Sequence, residues 1–417
     1  MKILYISYFF PPFASIGGSR SFGQYTQLKK LGYDVKVISS NNQGLLIDET
    51  YYQDSDDIIY FGRSDNDQIN LSRHDSISNL IKAYILKLPK SFIRFSYLVK
   101  YLLFGLHEKR LWFNSVLNSI DKKLGGWVPD LIISTYSPID SHILASRLQI
   151  KYKSKWFAEF RDCFSFNTMA FSRKENELLN LFLRKKEKDI IKNADLIISA
   201  TKFIQSYFIR HHKKNCILVY GGWDESQQSY NELPSSNEKK NNKLKILHAG
   251  SMLYGTRNID VLVTALKEFP KLMDEIEFHL VGKHTSLFNS QVLKNNLTKS
   301  ILLQEEIESN KLEYLYRQSD ALLIIMKDDP MERYTVTGKI FSYIKYKKPI
   351  IILDSYNSEA SQIIKKYKLG YIVKDANDLN KVIMNNLKTY NIPSTETIIS
   401  FSRERQFQSV INLIKKI

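Results

Sequence analysis

Cysteine, glycine and proline are all scarce in this chain of 417 residues. The only two cysteines, Cys163 and Cys216, form no Cys-x-x-Cys pair. We therefore expect neither a disulfide framework nor a structural zinc site, and we expect a reducing compartment. With 16 glycines and 10 prolines the chain is not fibrous or of low complexity, and its 43% hydrophobic residues exclude a mainly disordered protein.

Long apolar runs and clusters of histidine are missing as well. No uninterrupted apolar stretch approaches the roughly 20 residues that a membrane-spanning helix needs. The opening MKILYISYFFPPF lacks a small-residue cleavage site, so we expect a buried first strand and not a signal peptide. His248 stands alone on a predicted strand, where a core histidine is favoured over a metal ligand. We predict no metal site and no cofactor.

Carboxylates are too few to balance the basic residues, and the formal net charge is +17. This charge predicts an anionic partner, and we do not expect nucleic acid because no nucleic-acid-binding motif is present. Between Asp75 and Glu108 there is no carboxylate at all, and over residues 81–104 lysine and arginine alternate with apolar side chains. This segment is either a pair of core helices with a solvated basic face or a surface that binds an anionic membrane.

Short β-branched runs alternate with longer helical segments along the whole chain, which is typical of parallel sheets crossed by helices. The first half predicts strands at KILYIS, DVKVIS, DLIIST, KWFAEF, DLIISA and CILVYG. The second half predicts strands at KLKILHAG, EIEFHLVG, SILLQ, DALLIIM, PIIIL and GYIV. We therefore predict an α/β protein with two doubly wound domains, residues 1–224 and 244–398.

A polar segment without periodicity, residues 225–243, is the predicted linker. After the second domain, residues 399–417 predict a closing helix that packs on one domain or across both. Its apolar positions follow helical spacing: Phe407, Val410, Ile411, Ile414 and Ile417.

In open α/β sheets, ligands bind beyond the carboxyl ends of the strands. After the first strand come Gly17, Gly18 and Arg20, where glycines allow backbone N–H groups to approach an anion or a sugar; the alternative is a plain flexible loop. After the strand KWFAEF come Arg161 and Asp162. Arg161 can clamp an anion and Asp162 can orient or deprotonate an acceptor hydroxyl, although a purely structural Arg–Asp pair is equally open.

The second half contains two further strand-end motifs. In HAGSMLYGTRN, Gly250, Gly255 and Arg257 are typical of a diphosphate site, for which bidentate hydrogen bonds matter. In YTVTGKIFSYIKYKKPI, Thr337 is a candidate helix cap, and the turn that follows it leaves N–H donors for a phosphate.

Taken in order, these motifs resemble glycosyltransferase family 4, of GT-B fold, and in particular its bacterial surface-polysaccharide members. The resemblance spans nearly the whole chain. The matching segments are FPP...GG, PDLIISTYSP, EFRD, ADLIISAT, LVYGGWD, HAGSMLYGTRN, LVG, LYRQSDALLII and TGKIFSYIKYKKPI. The resemblance implies two Rossmann-like domains that face a central cleft and a retaining, metal-independent transfer from a nucleotide-diphosphate sugar. It also implies a lipid-linked or membrane-proximal glycan acceptor, and a cytoplasmic enzyme at the inner face of the plasma membrane.

The resemblance also assigns roles to individual residues. It implies that Gly17 and Gly18 line the reaction centre and that the strand end with Arg161 and Asp162, the two catalytic candidates, faces the acceptor. We add Arg20 to the acceptor and reaction-centre loop because it stands beside these glycines. It implies that Arg257, Gly338 and Lys339 bind the donor phosphates, and from the sequence itself we add four residues to this donor-binding set of the second domain: Gly250, Thr337, Ser342 and Glu332.

The chain departs from the family at Ser342. Family members usually have a glutamate there, which receives the donor ribose, and a second glutamate eight residues earlier, where this chain has Tyr334. We consider Glu332, Asp328 and Glu359 as replacements. The alternatives to an active transferase are a non-catalytic GT-B partner protein and a nucleotide-sugar epimerase of the same fold.

Overall fold

The computed structural model describes residues 1–13, 15–41, 43, 55–62, 106–165, 177–224, 243–251, 257–283 and 286–417. The basic segment 81–104, the linker residues 225–242 and Gly255 lie outside these ranges. The chain divides into two compact units, one of Met1–Val219 with Ser409–Ile417 and the other of Tyr220–Gln408.

The first unit is built on a parallel sheet. Its strands in the described part of the chain are β1 (Lys2–Ile6), β2 (Asp34–Ser40), β3 (Ile58–Phe61), β4 (Leu131–Tyr136), β5 (Lys155–Phe160), β6 (Leu196–Ser199) and β7 (Cys216–Leu218). They are ordered β3-β2-β1-β4-β5-β6-β7. All six residues of β4 are buried, as expected for a β-branched strand covered on both faces.

Helices connect these strands. The described ones are α1 (Ile16–Lys30), α2 (Arg110–Leu124), α3 (Asp140–Tyr152), α4 (Glu177–Ile190) and α5 (Lys202–Tyr207), which continues as a π-helical turn (Phe208–His212). The hydroxyl of Ser15 caps α1 by accepting from the N–H of Gly18. The core of the unit includes the fully buried Trp156, Phe160 and Phe208.

The second unit repeats the plan. Its described strands are β8 (Leu244–Ala249), β9 (Ile276–Val281), β10 (Ile301–Gln304), β11 (Ala321–Ile325), β12 (Ile350–Leu353) and β13 (Gly370–Val373). They are parallel and ordered β10-β9-β8-β11-β12-β13. In each sheet the order therefore reverses beside the first strand, between β1 and β4 and between β8 and β11. Such reversal points are where open α/β sheets bind ligands.

The helices of this unit lie around that sheet. The described ones are α6 (Asp260–Glu268), α7 (Leu272–Glu275), α8 (Ser286–Lys294), α9 (Ser309–Gln318), α10 (Gly338–Ile344), α11 (Glu359–Lys366), α12 (Ala376–Lys381) and α13 (Thr395–Ser400). Short 3-10 or π turns occupy Pro330–Tyr334, Val382–Asn386 and Leu387–Thr389. No helix among the described residues is both long enough and apolar enough to cross a membrane.

All twelve strands predicted from the sequence are confirmed, and the described residues contain one further strand, β3, that was not predicted. β3 pairs with β2 as an edge strand, and only two of its four residues are buried. Its short IIYF run follows a polar, acidic stretch, so its apolar signal is weak. The closing helix is present as α14 (Arg403–Ile414). Four of its five predicted apolar positions are buried, whereas Ile417 lies beyond the helix end and is exposed.

Candidate functional site

The predicted site residues of the first unit gather where β1, β4 and β5 end. Arg161 follows β5, and its Nε donates to the carbonyl of Tyr136, the last residue of β4, at 3.0 Å. Its guanidinium lies against Gly17 in the first turn of α1, because a β-carbon built on Gly17 would be only 2.0 Å from Nη1. Glycine at this position therefore leaves the space that Arg161 fills.

Arg20 has a different role from the one expected for a ligand loop. Its Nε and Nη2 donate to Oε1 of Glu159 at 3.0 and 2.7 Å, and both side chains are buried. Nη2 also donates to the carbonyl of Val219 at 2.9 Å. Gln24 donates to the same carboxylate oxygen at 2.9 Å. Arg20 thus anchors α1 to β5 inside the unit.

The charges of Arg20, Glu159 and Arg161 partly neutralise one another. Burial acts to raise the pKa of Glu159, but the charge of Arg20 and the hydrogen bonds from Gln24 and Arg20 outweigh it and hold the pKa below its usual value. Burial lowers the pKa of the Arg161 guanidinium, and Glu159 and Asp162 oppose that shift. Arginine titrates so high that Arg161 stays charged at neutral pH. The side chain of Asp162 is exposed.

In the second unit, the loop after β8 and the start of α10 come together. Gly250 has φ +131°, and a β-carbon on it would lie 2.5 Å from Cε and 2.7 Å from Nζ of Lys339. Arg257 donates through Nε to the carbonyl of Ile325, at the end of β11, at 3.1 Å, and through Nη1 to the carbonyl of Ser251 at 3.3 Å. These side chains converge on the reversal point of the second sheet.

Lys339 and Arg257 are cations, and Lys339 lies close enough to Arg257 to be affected by its charge. Burial lowers the pKa of Lys339 to about 8, and the charge of Arg257 adds to the shift. Burial also lowers the pKa of Arg257, which nearby Glu332 opposes. Glu332 is itself buried and forms an ion pair with Lys327 at 3.4 Å. The sum of these four charges is positive, as a site for an anion requires.

Two other predicted residues sit at the start of α10. Thr337 occupies the N-cap position, but the expected side-chain cap is absent because the N–H of Ile340 donates instead to the carbonyl of Thr337 at 3.2 Å. Gly338 is exposed, and so is Ser342 one turn further on. The sequence motif therefore places an exposed hydroxyl, and no carboxylate, on this side of α10.

Sequence reasoning missed a residue that positions α10. The hydroxyl of Tyr343 accepts from the N–H of Ala249 at 3.1 Å and donates to the carbonyl of Leu323 at 3.4 Å. It thereby fixes the helix that bears Lys339 to the end of β8 and to the middle of β11. The sequence shows a tyrosine beside Ser342, but an aromatic residue at this position is equally consistent with a side chain that only packs in the core.

No group of three or more histidine, cysteine, aspartate or glutamate side chains is placed to hold a metal ion in the ranges that the structure describes. Whether the protein works without a metal stays a prediction.

The sequence matches no protein-family model, and no curated protein is detectably similar to it. Solved structures, however, share its fold. The lipopolysaccharide outer core galactosyltransferase WaaB, in its apo form, is 14% identical with a TM-score of 0.60, and the Anabaena protein HepE, in complex with UDP, is 13% identical with a TM-score of 0.63. The UDP-GlcNAc 2-epimerase from Neisseria meningitidis, bound to UDP-GlcNAc, is 12% identical with a TM-score of 0.56. Each comparison covers 100% of both chains.

These similarities confirm the expected GT-B fold of two parallel-sheet α/β domains. At such identities they show the fold alone, and the fold includes both glycosyltransferases and epimerases.

The buried pair of Arg20 and Glu159 should be structural. Arg20→Ala leaves the carboxylate of Glu159 buried without its cation, so we expect a loss of about 3–5 kcal/mol in the free energy of unfolding, measured by urea denaturation. Lys29→Ala is the matched control, because its pair with Asp57 is partly exposed and should contribute less than about 1 kcal/mol. Equal losses in both variants would contradict the structural role.

Lys339 should destabilise the unliganded second unit. Its pKa is lower in the folded than in the unfolded chain, so the unfolded chain binds more protons between about pH 8 and 10.5, and stability rises with pH across that window. Lys339→Met should therefore stabilise the unit by roughly 2 kcal/mol at pH 7, and the gain should shrink towards pH 10.5. Hydrogen exchange in urea, followed on peptides from β8 and α10, measures the free energy of unfolding of this unit at each pH.

The exposed Lys267 on α6 provides the control for that experiment. Lys267→Met should change stability little at any pH. A destabilised Lys339→Met variant would mean that the ammonium holds the native structure together and is not held ready for a ligand.

Proposed function

We propose that this protein is a glycosyltransferase that moves a sugar from a nucleotide-diphosphate sugar to a glycan acceptor. The observation that carries the proposal is the cation pair of Arg257 and Lys339 beside Gly250. Both side chains are partly buried, and the charge of Arg257 helps to lower the pKa of Lys339, so an anion bound beside them would relieve a like-charge repulsion.

A diphosphate suits this pair better than a single carboxylate does. Arg257 has its Nε and Nη1 fixed by carbonyls of Ile325 and Ser251, so the orientation of its guanidinium is set before a ligand arrives. Lys339 adds a point charge beside Gly250, whose missing side chain allows close approach. Together they can stabilise the charge that develops on a leaving nucleoside diphosphate without a metal ion.

The first unit supplies the acceptor side of the proposal. Asp162 is exposed directly after β5, where it can orient an acceptor hydroxyl, and Gly17 and Gly18 lie at the start of α1 at the same edge of the sheet. We further propose that transfer proceeds with retention, because the leaving diphosphate can itself take the acceptor proton at the front face. The family resemblance supports this step.

The proposals for the class of acceptor and for the location of the protein are based on the sequence. The basic, aromatic segment 81–104 has the composition of a surface that binds anionic lipid. We propose a lipid-linked or membrane-proximal acceptor at the cytoplasmic face of the plasma membrane, and a role in the synthesis of a surface polysaccharide or lipopolysaccharide.

Nucleotide binding tests the donor site. We expect Arg257→Ala and Lys339→Ala to weaken the binding of the cognate nucleoside diphosphate by roughly 10- to 100-fold each, because each removes a charge-assisted hydrogen bond. A thermal-shift screen against UDP, GDP, CMP, dTDP and their sugars, with Mg²⁺ or EDTA, identifies the ligand, and titration calorimetry measures affinity. In the wild type, affinity should fall as pH rises above about 8, where Lys339 loses its proton.

Arg405→Ala and Lys267→Ala are matched controls, because both residues are exposed and belong to the same unit. They should bind as the wild type does. Unchanged affinity in Arg257→Ala and Lys339→Ala would refute the donor site. If the sugar nucleotide binds but is only epimerised, or if no nucleoside diphosphate is released with a membrane extract as acceptor, the transferase assignment fails while the binding site stands.

Variants of Ser342 test how the ribose of the donor nucleotide is bound. A carboxylate that accepts from a ribose hydroxyl contributes about 1.5–3 kcal/mol, so Ser342→Glu should raise the affinity for the cognate nucleotide about tenfold. The glutamine of Ser342→Gln has nearly the same shape as glutamate but no charge, so this variant should gain less affinity than Ser342→Glu. Titration calorimetry measures both. Weaker binding by Ser342→Glu would place the ribose elsewhere.

A further inference from the structure

The first unit contains an arginine whose hydrogen-bonding capacity is not used up. Arg161 donates through Nε to the carbonyl of Tyr136, and among the described residues its two terminal nitrogens have no hydrogen-bond acceptor. Its side chain is partly buried, and the hydrogen bond from Nε fixes the orientation of the guanidinium. A guanidinium in this state is arranged to receive two oxygens of one anion.

The neighbouring Arg20 gives a direct contrast. It reaches the same strand, but its guanidinium is taken up by Glu159 and by the carbonyl of Val219, inside the unit. The carboxylate that could neutralise both arginines therefore pairs with Arg20 alone. Glu159 and Asp162 still act on Arg161 through space, but neither forms an ion pair with it.

The surroundings of Arg161 favour an anion further. The guanidinium lies against the first turn of α1, a helix of 15 residues with no acidic residue in that turn. The positive end of the helix dipole and the charge of Arg161 thus act on the same place. Gly17 makes this possible, since any side chain there would displace Nη1.

We propose that Arg161 and the first turn of α1 bind a phosphate group of the acceptor, so that the acceptor is a phosphorylated molecule. This inference rests on the proposed function, because the donor diphosphate is assigned there to Arg257 and Lys339 of the second unit. A second anion site, in the unit assigned to the acceptor, implies that the other substrate also carries an oxyanion.

The test uses the full-length chain with the donor cations removed, Arg257→Ala/Lys339→Ala. Inorganic phosphate and glucuronate are titrated into this background by calorimetry. Adding Arg161→Gln should raise the dissociation constant for phosphate at least about tenfold. Adding Gly17→Ala should have a similar effect, because the β-carbon of alanine displaces the guanidinium. The variant should still fold, because alanine has a higher helix propensity than glycine. Arg161→Lys should retain part of the binding.

Arg110→Gln is the matched control, because Arg110 is an exposed arginine at the start of α2. It should leave phosphate binding unchanged. Unchanged binding in Arg161→Gln would overturn the proposal, and tighter binding of glucuronate than of phosphate would overturn the assignment to phosphate.

A second titration separates this proposal from the donor site. In an otherwise wild-type chain, Arg161→Gln should leave the affinity for the nucleoside diphosphate within about twofold of the wild type. A loss as large as that of Arg257→Ala would mean that Arg161 serves the donor, and would overturn the acceptor site. Because the phosphate experiment lacks the donor cations, its outcome does not depend on whether the donor binds to them.

Discussion

The missing side chains of Gly17 and Gly250 are the constraint on which both candidate sites depend. Each glycine lies in the connection that follows the first strand of its sheet, beside the point where the strand order reverses. In each unit a cation fills the space that a β-carbon would take, Arg161 in the first and Lys339 in the second. Packing against backbone is what holds these charges at the carboxyl ends of the strands, where a long side chain would otherwise move freely in solvent.

The two units differ in whether their buried cations are paired with a carboxylate. In the first, Arg20 is compensated by Glu159 at 2.7 Å, and the pair ties a helix to a strand. In the second, Glu332 pairs with Lys327 and also acts on Arg257, but the charge of Arg257 still lowers the pKa of Lys339. Holding two like charges together out of water costs stability, which fits the ligand-binding role proposed for the second arrangement, whereas the paired charges of the first arrangement stabilise the fold.

The sequence predicts the fold well because its signals are local. A β-branched run such as that of β12 identifies a buried strand without reference to the rest of the chain. Residue roles depend on contacts between distant segments, and there the prediction is incomplete. Arg20 looks like a ligand residue until Glu159, 139 residues away, is seen to pair with it. Likewise, Thr337 has the right identity for a helix cap, but its own carbonyl takes the N–H that its hydroxyl would have capped.

Contacts between distant segments also limit which carboxylate can take the place of the glutamate that members of glycosyltransferase family 4 usually have where this chain has Ser342. Glu332 is paired with Lys327, and Glu359 is buried and accepts from the hydroxyl of Tyr220 at 2.9 Å. Either carboxylate would have to give up an interior partner to reach a ribose, which costs more than the new hydrogen bond returns. Asp328 is exposed, and its carboxylate lies close enough to Tyr356 to raise the pKa of that phenol. In a transferase built this way, donor affinity therefore comes mainly from the diphosphate on Arg257 and Lys339, and discrimination between nucleosides has to come from groups other than these carboxylates.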